Sequence, residues 1–287
     1  MPPATPPGNS GAQTFIRESA RLNEPDRCIS ALLAPRAARD DLITLAAYLG
    51  EVRRIALNVS EAALGEIRLQ WWRDVLSAGA QGGLSGNPIA DEMVRVIARH
   101  DLPLPLVLAP LEAASVELGG ETLSDEIAWL AYLDNAEGAA MHLGARILAL
   151  ADRPTGLPAI TASGRAYAAC RFALRLPELL ARGRWPVPQV LAVLGDPRHS
   201  IECDARAAVK GSGEKLCDEA LKHLDEARAV LSTAPCGTTI AILPVAVVAC
   251  YAKAITRPGR DALRQPAQIA PLTRILKLWW ASKTGRI

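Results

Sequence analysis

Apolar residues recur at helical spacing along almost the whole chain, and no run of four to eight residues alternates apolar with polar. That pattern restricts the fold to helices packed on helices, because a half-buried strand needs a period of two. The spacing predicts helices over residues 14–22, 26–33, 36–57, 60–78, 88–99, 104–117, 124–150, 159–182, 186–194, 204–210, 214–232, 238–256 and 270–282. Turn signals separate them, among them GAQGGLSGNP at 79–88, DRPTGLP at 151–157, GDPRHS at 195–200 and RPGR at 257–260. Half of the 287 residues are apolar, which is enough for a sizeable core. No internal repeat interrupts them, so one domain is expected over 13–287. The opening MPPATPPGNSG lacks a basic stretch followed by an apolar run. It predicts a disordered tail over 1–12 and no secretory signal.

Charge and sulfur narrow the function classes. A net charge of +2 gives no electrostatic footprint for nucleic acid. The six cysteines are dispersed without a C-x-x-C pair, so no disulfide framework is needed and a reducing cytoplasm is the expectation. The four histidines form no H-E-x-x-H and no cluster with cysteine, which argues against zinc. The most apolar stretch, 238–256, contains Pro244 and falls short of the roughly 18 uninterrupted apolar residues of a membrane span. It predicts a buried core helix.

Several helices carry charge where a core stripe is expected. In helix 36–57 the stripe is Leu45, Tyr48, Leu49, Val52 and Ile55, with Arg53 at its edge and Arg54 opposite. In the next helix the stripe reads Leu64, Ile67, Trp71 and Val75, with Arg68 in its middle. A guanidinium in an apolar stripe must be paired or must open onto a polar cavity. Trp71 and Trp72 are placed to cover it by stacking. Helix 124–150, with a start at Ser124 and the pair Thr122 and Asp125, is apolar nearly all round and predicts a central position. Ala131, Gly138 and Ala145 recur every seven residues on one of its faces, and Asp134 shares that face. A carboxylate there needs a partner or a cavity. Helix 159–182 has a small-residue face of Ala166, Ala169, Cys170 and Ala173, and a second stripe of Tyr167, Arg171, Arg175 and Glu178. Two arginines four residues apart repel by a few tenths of a kcal/mol unless an anion lies between them. Either this stripe is a solvated face, or the arginines pair with Glu51, Glu66, Asp134 and Glu178 and close the space between the helices, or they line an anion-holding pocket.

The order of these motifs resembles the squalene/phytoene synthase family over nearly the whole chain. DRCISALLAPRAARDDLITLAAYL (26–49) looks like the family's opening, and YLDNAEGAAMHLGARIL (132–148) like its Tyr-containing, small-residue helix. YAACRFALRLPELLARGRWPVP (167–188) is similar to the second substrate helix with its Gly-Arg-x-x-x-Pro turn, and LPVAVVACYAKAI (243–255) to the late core helix. The resemblance implies an all-α isoprenoid-synthase fold, a helical bundle around a central cavity. Active members join two prenyl diphosphates head to head, using Mg²⁺ held by an Asp-rich motif on each of two facing helices.

This chain departs from the family at those motifs. Where the first is implied stand Arg53, Arg54, Ile55, Ala56 and Leu57, and where the second is implied stand Arg175 and Leu179. Glu51 and Glu178 are the residual acidic positions nearby. No metal cofactor is therefore expected. LGEIRLQWWRDVL (64–76) is similar to phytoene-synthase-related proteins of respiring bacteria and mitochondria, a branch that includes an assembly factor for respiratory complex I. The resemblance implies a non-catalytic binding or assembly protein with a respiratory complex subunit as partner. Its cavity candidates are Arg53, Arg68, Tyr132, Asp134, Tyr167, Arg171 and Arg175, holding a prenyl diphosphate or lipid-like anion without ionising it. The alternative is an active head-to-head prenyl transferase whose Mg²⁺ is held by other carboxylates, with Asp74 and Asp134 as candidates. PLTRILKLWWASKTGRI (271–287) is basic and amphipathic, which suits either a last helix packed on the bundle or a peripheral contact with the inner membrane surface.

Overall fold

The structure, a computed structural model, describes residues 9–150, 156–198, 204–235 and 237–287, and among these there is no strand. The helices are α1 (Asn9–Asn23), α2 (Pro25–Leu33), α3 (Arg39–Asn58), α4 (Ala62–Ala78), α5 (Pro88–His100), α6 (Leu104–Gly119), α7 (Glu126–Leu133), α8 (Ala139–Ile147), α9 (Leu157–Leu180), α10 (Ala205–Leu231), α11 (Thr238–Ala241), α12 (Val248–Ile255) and α13 (Pro271–Thr284). Helix α1 begins inside the segment 1–12 that composition assigns to a tail, and residues 1–8 lie outside the described residues.

Two apolar cores share the bundle. One gathers Ile16, Tyr48, Trp72, Met93 and Leu111 from α1, α3, α4, α5 and α6. The other gathers Trp129, Tyr167, Phe172, Leu216 and Val248 from α7, α9, α10 and α12. In the second, Trp129 stacks on Tyr132 at 5.5 Å, and Phe172 meets both rings edge-on at 5.4 and 5.3 Å. Between the cores run the polar side chains described below.

The segment read as one helix over 124–150 is α7, a π turn over Asp134–Gly138, and α8. Asp125, not Ser124, caps α7, its carboxylate accepting from Ala128 N–H at 2.8 Å. At the π turn Ala139 N–H donates to Asp134 O, five residues back. The extra residue breaks the sevenfold face: Ala131 is exposed, while Gly138 and Ala145 are buried. It also turns Glu137 inward beside Tyr132.

Three other expectations change for local reasons. Residues 186–194 form no helix, because Pro186 and Pro188 withhold backbone N–H donors. The two helices expected over 204–210 and 214–232 are the single helix α10. Its Gly211 is retained because Val193 lies where a Cβ would stand, 2.8 Å away. Pro244 splits 238–256 into α11, a 3₁₀ turn over Leu243–Val247, and α12.

The register of α4 is the largest revision. Its buried residues are Gly65, Leu69, Trp72 and Leu76, one position along from the expected stripe. The buried side includes Gly65, where a Cβ would lie 2.5 Å from the tip of the Leu118 side chain, so glycine leaves Leu118 its present place against α4. Arg68 is therefore exposed, and the expected core residues Leu64, Ile67 and Trp71 face outward.

At the crossing of α9 with the π turn, a Cβ on Gly164 would stand 2.5 Å from the Gly138 Cα. Backbone cannot yield as a flexible side chain can. Gly164→Ala is expected to cost about 1–3 kcal/mol by overpacking. Ile127→Ser, on the exposed side of α7, should stay within about 0.5 kcal/mol. Urea unfolding of the two variants measures the contrast, and equal stabilities would refute the close crossing.

Candidate functional site

The polar seam is built from helix ends and one irregular turn. Glu24 precedes Pro25 at the start of α2, and Asp26 and Arg27 follow in its first turn. Arg53 comes from the last turns of α3, Glu117 from the end of α6, and Tyr132 from α7. The π turn supplies Glu137, α9 supplies Tyr167, Arg171 and Arg175, and α12 and α13 supply Tyr251 and Arg274.

Two buried carboxylates are shared by three guanidiniums. Glu24 receives Arg53 at 2.9 Å and Arg171 through both oxygens at 3.0 and 3.2 Å. Glu137 receives Arg53 at 2.7 Å, Arg171 at 3.5 Å and a short hydrogen bond from Arg27. Two smaller sets flank this centre. On one side Glu117 accepts from Arg175 at 2.9 Å and from the Tyr132 hydroxyl at 2.6 Å, while Arg175 also donates to Arg53 O at 3.0 Å. On the other, Asp26 accepts from the hydroxyls of Tyr167 at 2.8 Å and Tyr251 at 3.1 Å, and pairs with Arg274 at 2.7 Å.

The protonation states follow from this pairing. Burial alone raises the Glu137 carboxyl, but Arg53, Arg27 and Arg171 outweigh it and hold it down at about 2, against an ordinary 4.5. Arg171 is itself pushed well up: burial works against its charge, and Glu24, Tyr167 and Glu137 more than offset that. Arg53 goes the other way. Burial and the neighbouring Arg171 lower it despite Glu137 and Glu24. Tyr167 is raised by burial and by Asp26, so it stays a neutral donor.

Of the residues singled out in the sequence, Arg53, Tyr132, Tyr167, Arg171 and Arg175 converge here. Arg68 does not, because α4 turns it to solvent. Asp134 does not: Arg165 clamps both its oxygens at 2.7 Å on the outer side of the π turn. Glu51 accepts from Ser19 at 3.2 Å, Glu66 accepts from Ser115, and Glu178 is exposed, so none of them closes on Arg53, Arg171 or Arg175. Asp74 is exposed and bonded to Gln70, and does not converge with Asp134.

The carboxylates that do the pairing, Glu24, Asp26, Glu117 and Glu137, were missed. The visible signal was NEPDR at 23–27, where four polar residues open a helix whose body is apolar. Arg184 was also missed: it donates to Ala56 O and, at 3.0 Å, to Val59 O, satisfying carbonyls at the end of α3.

Leu49, Val52, Pro110, Ala113, Phe172 and Tyr132 form the apolar wall beside the charges. The space left for water-sized spheres is about 30 Å³, room for one or two waters. Among the described residues no three His, Cys, Asp or Glu side chains are grouped so as to hold a metal.

Because Glu137 titrates lower in the folded protein than in the unfolded one, its contribution is complete above about pH 4.5 and is lost as pH falls toward 2. Glu137→Gln should lower stability at pH 7 by about 3 kcal/mol and should flatten the loss of stability between pH 4.5 and 2. Urea unfolding at pH 7 and pH 3 tests both parts. An unchanged slope in the variant would show that the carboxyl is not held by the arginines.

The squalene/phytoene synthase family model matches residues 21–274. A curated relative, NADH dehydrogenase (ubiquinone) complex I, assembly factor 6 of Bos taurus, is 22% identical over 282 residues, covering 95% of this chain and 83% of its own. The Homo sapiens protein of the same name is 21% identical, with 96% and 84% covered. Among solved structures, a dehydrosqualene synthase in complex with ligand superposes with a TM-score of 0.73 at 12% identity, covering 96% of each chain. Squalene synthase HpnC from Alicyclobacillus acidocaldarius gives 0.65 at 19% identity, covering 86% of this chain and 92% of its own. At those identities the likeness establishes the isoprenoid-synthase fold, and the matched family model establishes descent: the chain belongs to the squalene/phytoene synthase family.

Proposed function

We propose that this chain is a non-catalytic member of its family that serves in the assembly of respiratory complex I. The observation that carries the first half is the sharing of Glu24 and Glu137 by Arg27, Arg53 and Arg171. Mg²⁺ needs hard oxygen ligands free to coordinate it. These residues do not fit it: each buried carboxylate of the seam already faces a guanidinium, and an entering dication would meet those same cations. The space beside them, about 30 Å³, is too small for a prenyl chain while the wall at Tyr132 and Phe172 keeps its place. The names of relatives that align over nearly the full length support the second half.

Two partners fit this reading. Three arginines on two glutamates leave one positive charge in excess, which favours an anionic, lipid-like ligand held without ionisation. Its isoprenoid portion would have to displace the wall at Tyr132 and Phe172. The second partner is a membrane surface. Helix α13 exposes Leu272, Ile275, Leu276, Trp279 and Trp280, and residues 270–287 contain four basic and no acidic side chains. Such a face lies in the interface of an anionic bilayer. No helix among the described residues is long and apolar enough to cross a membrane.

Titration with farnesyl and geranylgeranyl diphosphate, in Mg²⁺ and in EDTA, with product extraction, tests the catalytic question. The expected outcome is no pyrophosphate release and any binding unaffected by EDTA. Magnesium-dependent release with a hydrocarbon product would overturn the proposal. Deleting the gene in its source is expected to lower assembled NADH dehydrogenase; an unchanged complex would refute the assembly role. Flotation with phosphatidylglycerol vesicles should recover the wild type at low salt and lose Leu276→Glu/Trp279→Glu. Equal flotation of both would remove α13 from the contact.

A further inference from the structure

Helix α4 has two apolar faces, and the fold uses one. Gly65, Leu69, Trp72 and Leu76 are buried against α6 and its neighbours. Leu64, Ile67 and Trp71 lie about 100° round the helix and are 52%, 66% and 38% exposed. Trp71 is fixed edge-on against the buried Trp72, with ring centres 5.2 Å apart, so its outward position is held by the core. Exposed apolar residues scattered singly need no explanation, but a row at helical spacing does.

The charges beside the row identify what would cover it. Arg68 stands within it and has no hydrogen bond or ion pair among the described residues. Arg54, on α3, lines the same shallow cleft with Trp71 and Asn58. It is half-exposed, and its acidic neighbour Glu51 lies 3.9 Å away and is also bonded to Ser19. The cleft thus offers two guanidiniums with weak or no partners around an indole. Tryptophan and arginine at the centre of an apolar patch are the residues that dominate protein interfaces. Glu61 at the N-cap of α4, Asp74 and the Arg73-paired Glu66 give this face both signs of charge, which suits a protein surface better than an anionic bilayer and separates it from the acid-free α13.

We propose that the α3–α4 face is the docking site for a protein partner. The partner presents an amphipathic helix whose apolar row packs on Leu64, Ile67 and Trp71 and whose Asp or Glu pairs with Arg68 and Arg54. This rests on the reading of the chain as an assembly protein and names the surface through which it would hold its client.

The test places a photo-crosslinking amino acid at Ile67 in the full-length chain, expressed in its source cells. The expected product joins the chain to one segment of another protein with an acidic residue within a helical turn of the crosslinked position. Arg68→Glu should cut that yield about tenfold, the scale of losing one interfacial charge pair. Reversing the partner's carboxylate to arginine should restore it. Arg68→Glu should melt like the wild type, since the side chain is exposed, so loss of yield cannot be assigned to unfolding. Crosslinks to a second copy of this chain or to lipid would overturn the proposal. So would a partner segment without a carboxylate, or failure of the charge reversal to restore the yield. A charge-restorable partner outside the respiratory complex would leave the docking site standing and sink the assembly reading, so the two fail separately.

Discussion

Two buried carboxylates, Glu24 and Glu137, hold three guanidiniums from three separate helices. Removing charged groups from water costs several kcal/mol each, and only close, multiple pairing offsets that. The arrangement therefore tolerates little displacement. Helix α2 must start at Pro25 to aim Glu24, the chain must insert a π turn to bring Glu137 round, and α9 must keep the register that sets Arg171 between them. The glycine contact between Gly164 and Gly138 serves the same end, since it brings α9 close to the π turn. What looks like three local irregularities is one electrostatic requirement.

The network also sits where the two apolar cores meet. Arg53 and Glu117 belong to helices of one core, and Arg171, Arg175 and Tyr132 to helices of the other. A buried ionic seam between apolar cores adds less stability than a packed apolar interface, and its pairings hold only while the helices keep their present register. The metal-binding members of the family, as the resemblance describes them, place carboxylates on the helices where this chain has Arg53 and Arg175. Exchanging sign at those positions would leave cations unpaired. Glu117 and Glu137, from neighbouring segments, neutralise them. On the proposed reading, the space that a substrate chain would occupy is occupied by that compensation.

The helical class and most helix boundaries were legible, because apolar spacing of 3.6 residues is a local property. The convergence of Arg53, Tyr132, Tyr167, Arg171 and Arg175 was legible too, since charged groups at the edges of apolar stripes must meet something. Their partners were not. Glu24 lies at a helix start, where an acidic residue is unremarkable. Glu137 lies in a segment whose α-helical continuation would point it elsewhere, and no composition rule announces a π turn. Gly211 and Gly213 illustrate the opposite error. They read as a break between helices, yet α10 runs through them, since Gly211 faces Val193 and tertiary packing overrides the propensity of single residues.

The register of α4 shows how periodicity reaches its limit. Two stripes one residue apart are both apolar, so the pattern specifies a helix without specifying which side is core. The side that is buried holds Gly65, Leu69, Trp72 and Leu76, with the Leu118 side chain packed over Gly65. Once that side is buried, the second stripe must meet water or another surface. Burying it within the bundle would have required Arg68 to be desolvated with a carboxylate on a facing helix, as Glu24 and Glu137 do for Arg53. The described residues supply no such carboxylate to Arg68. The same physics that encloses Arg53 thus keeps Arg68 outside, and an apolar row that cannot turn inward without stranding a charge is left facing solvent together with that charge, as the proposed docking face requires.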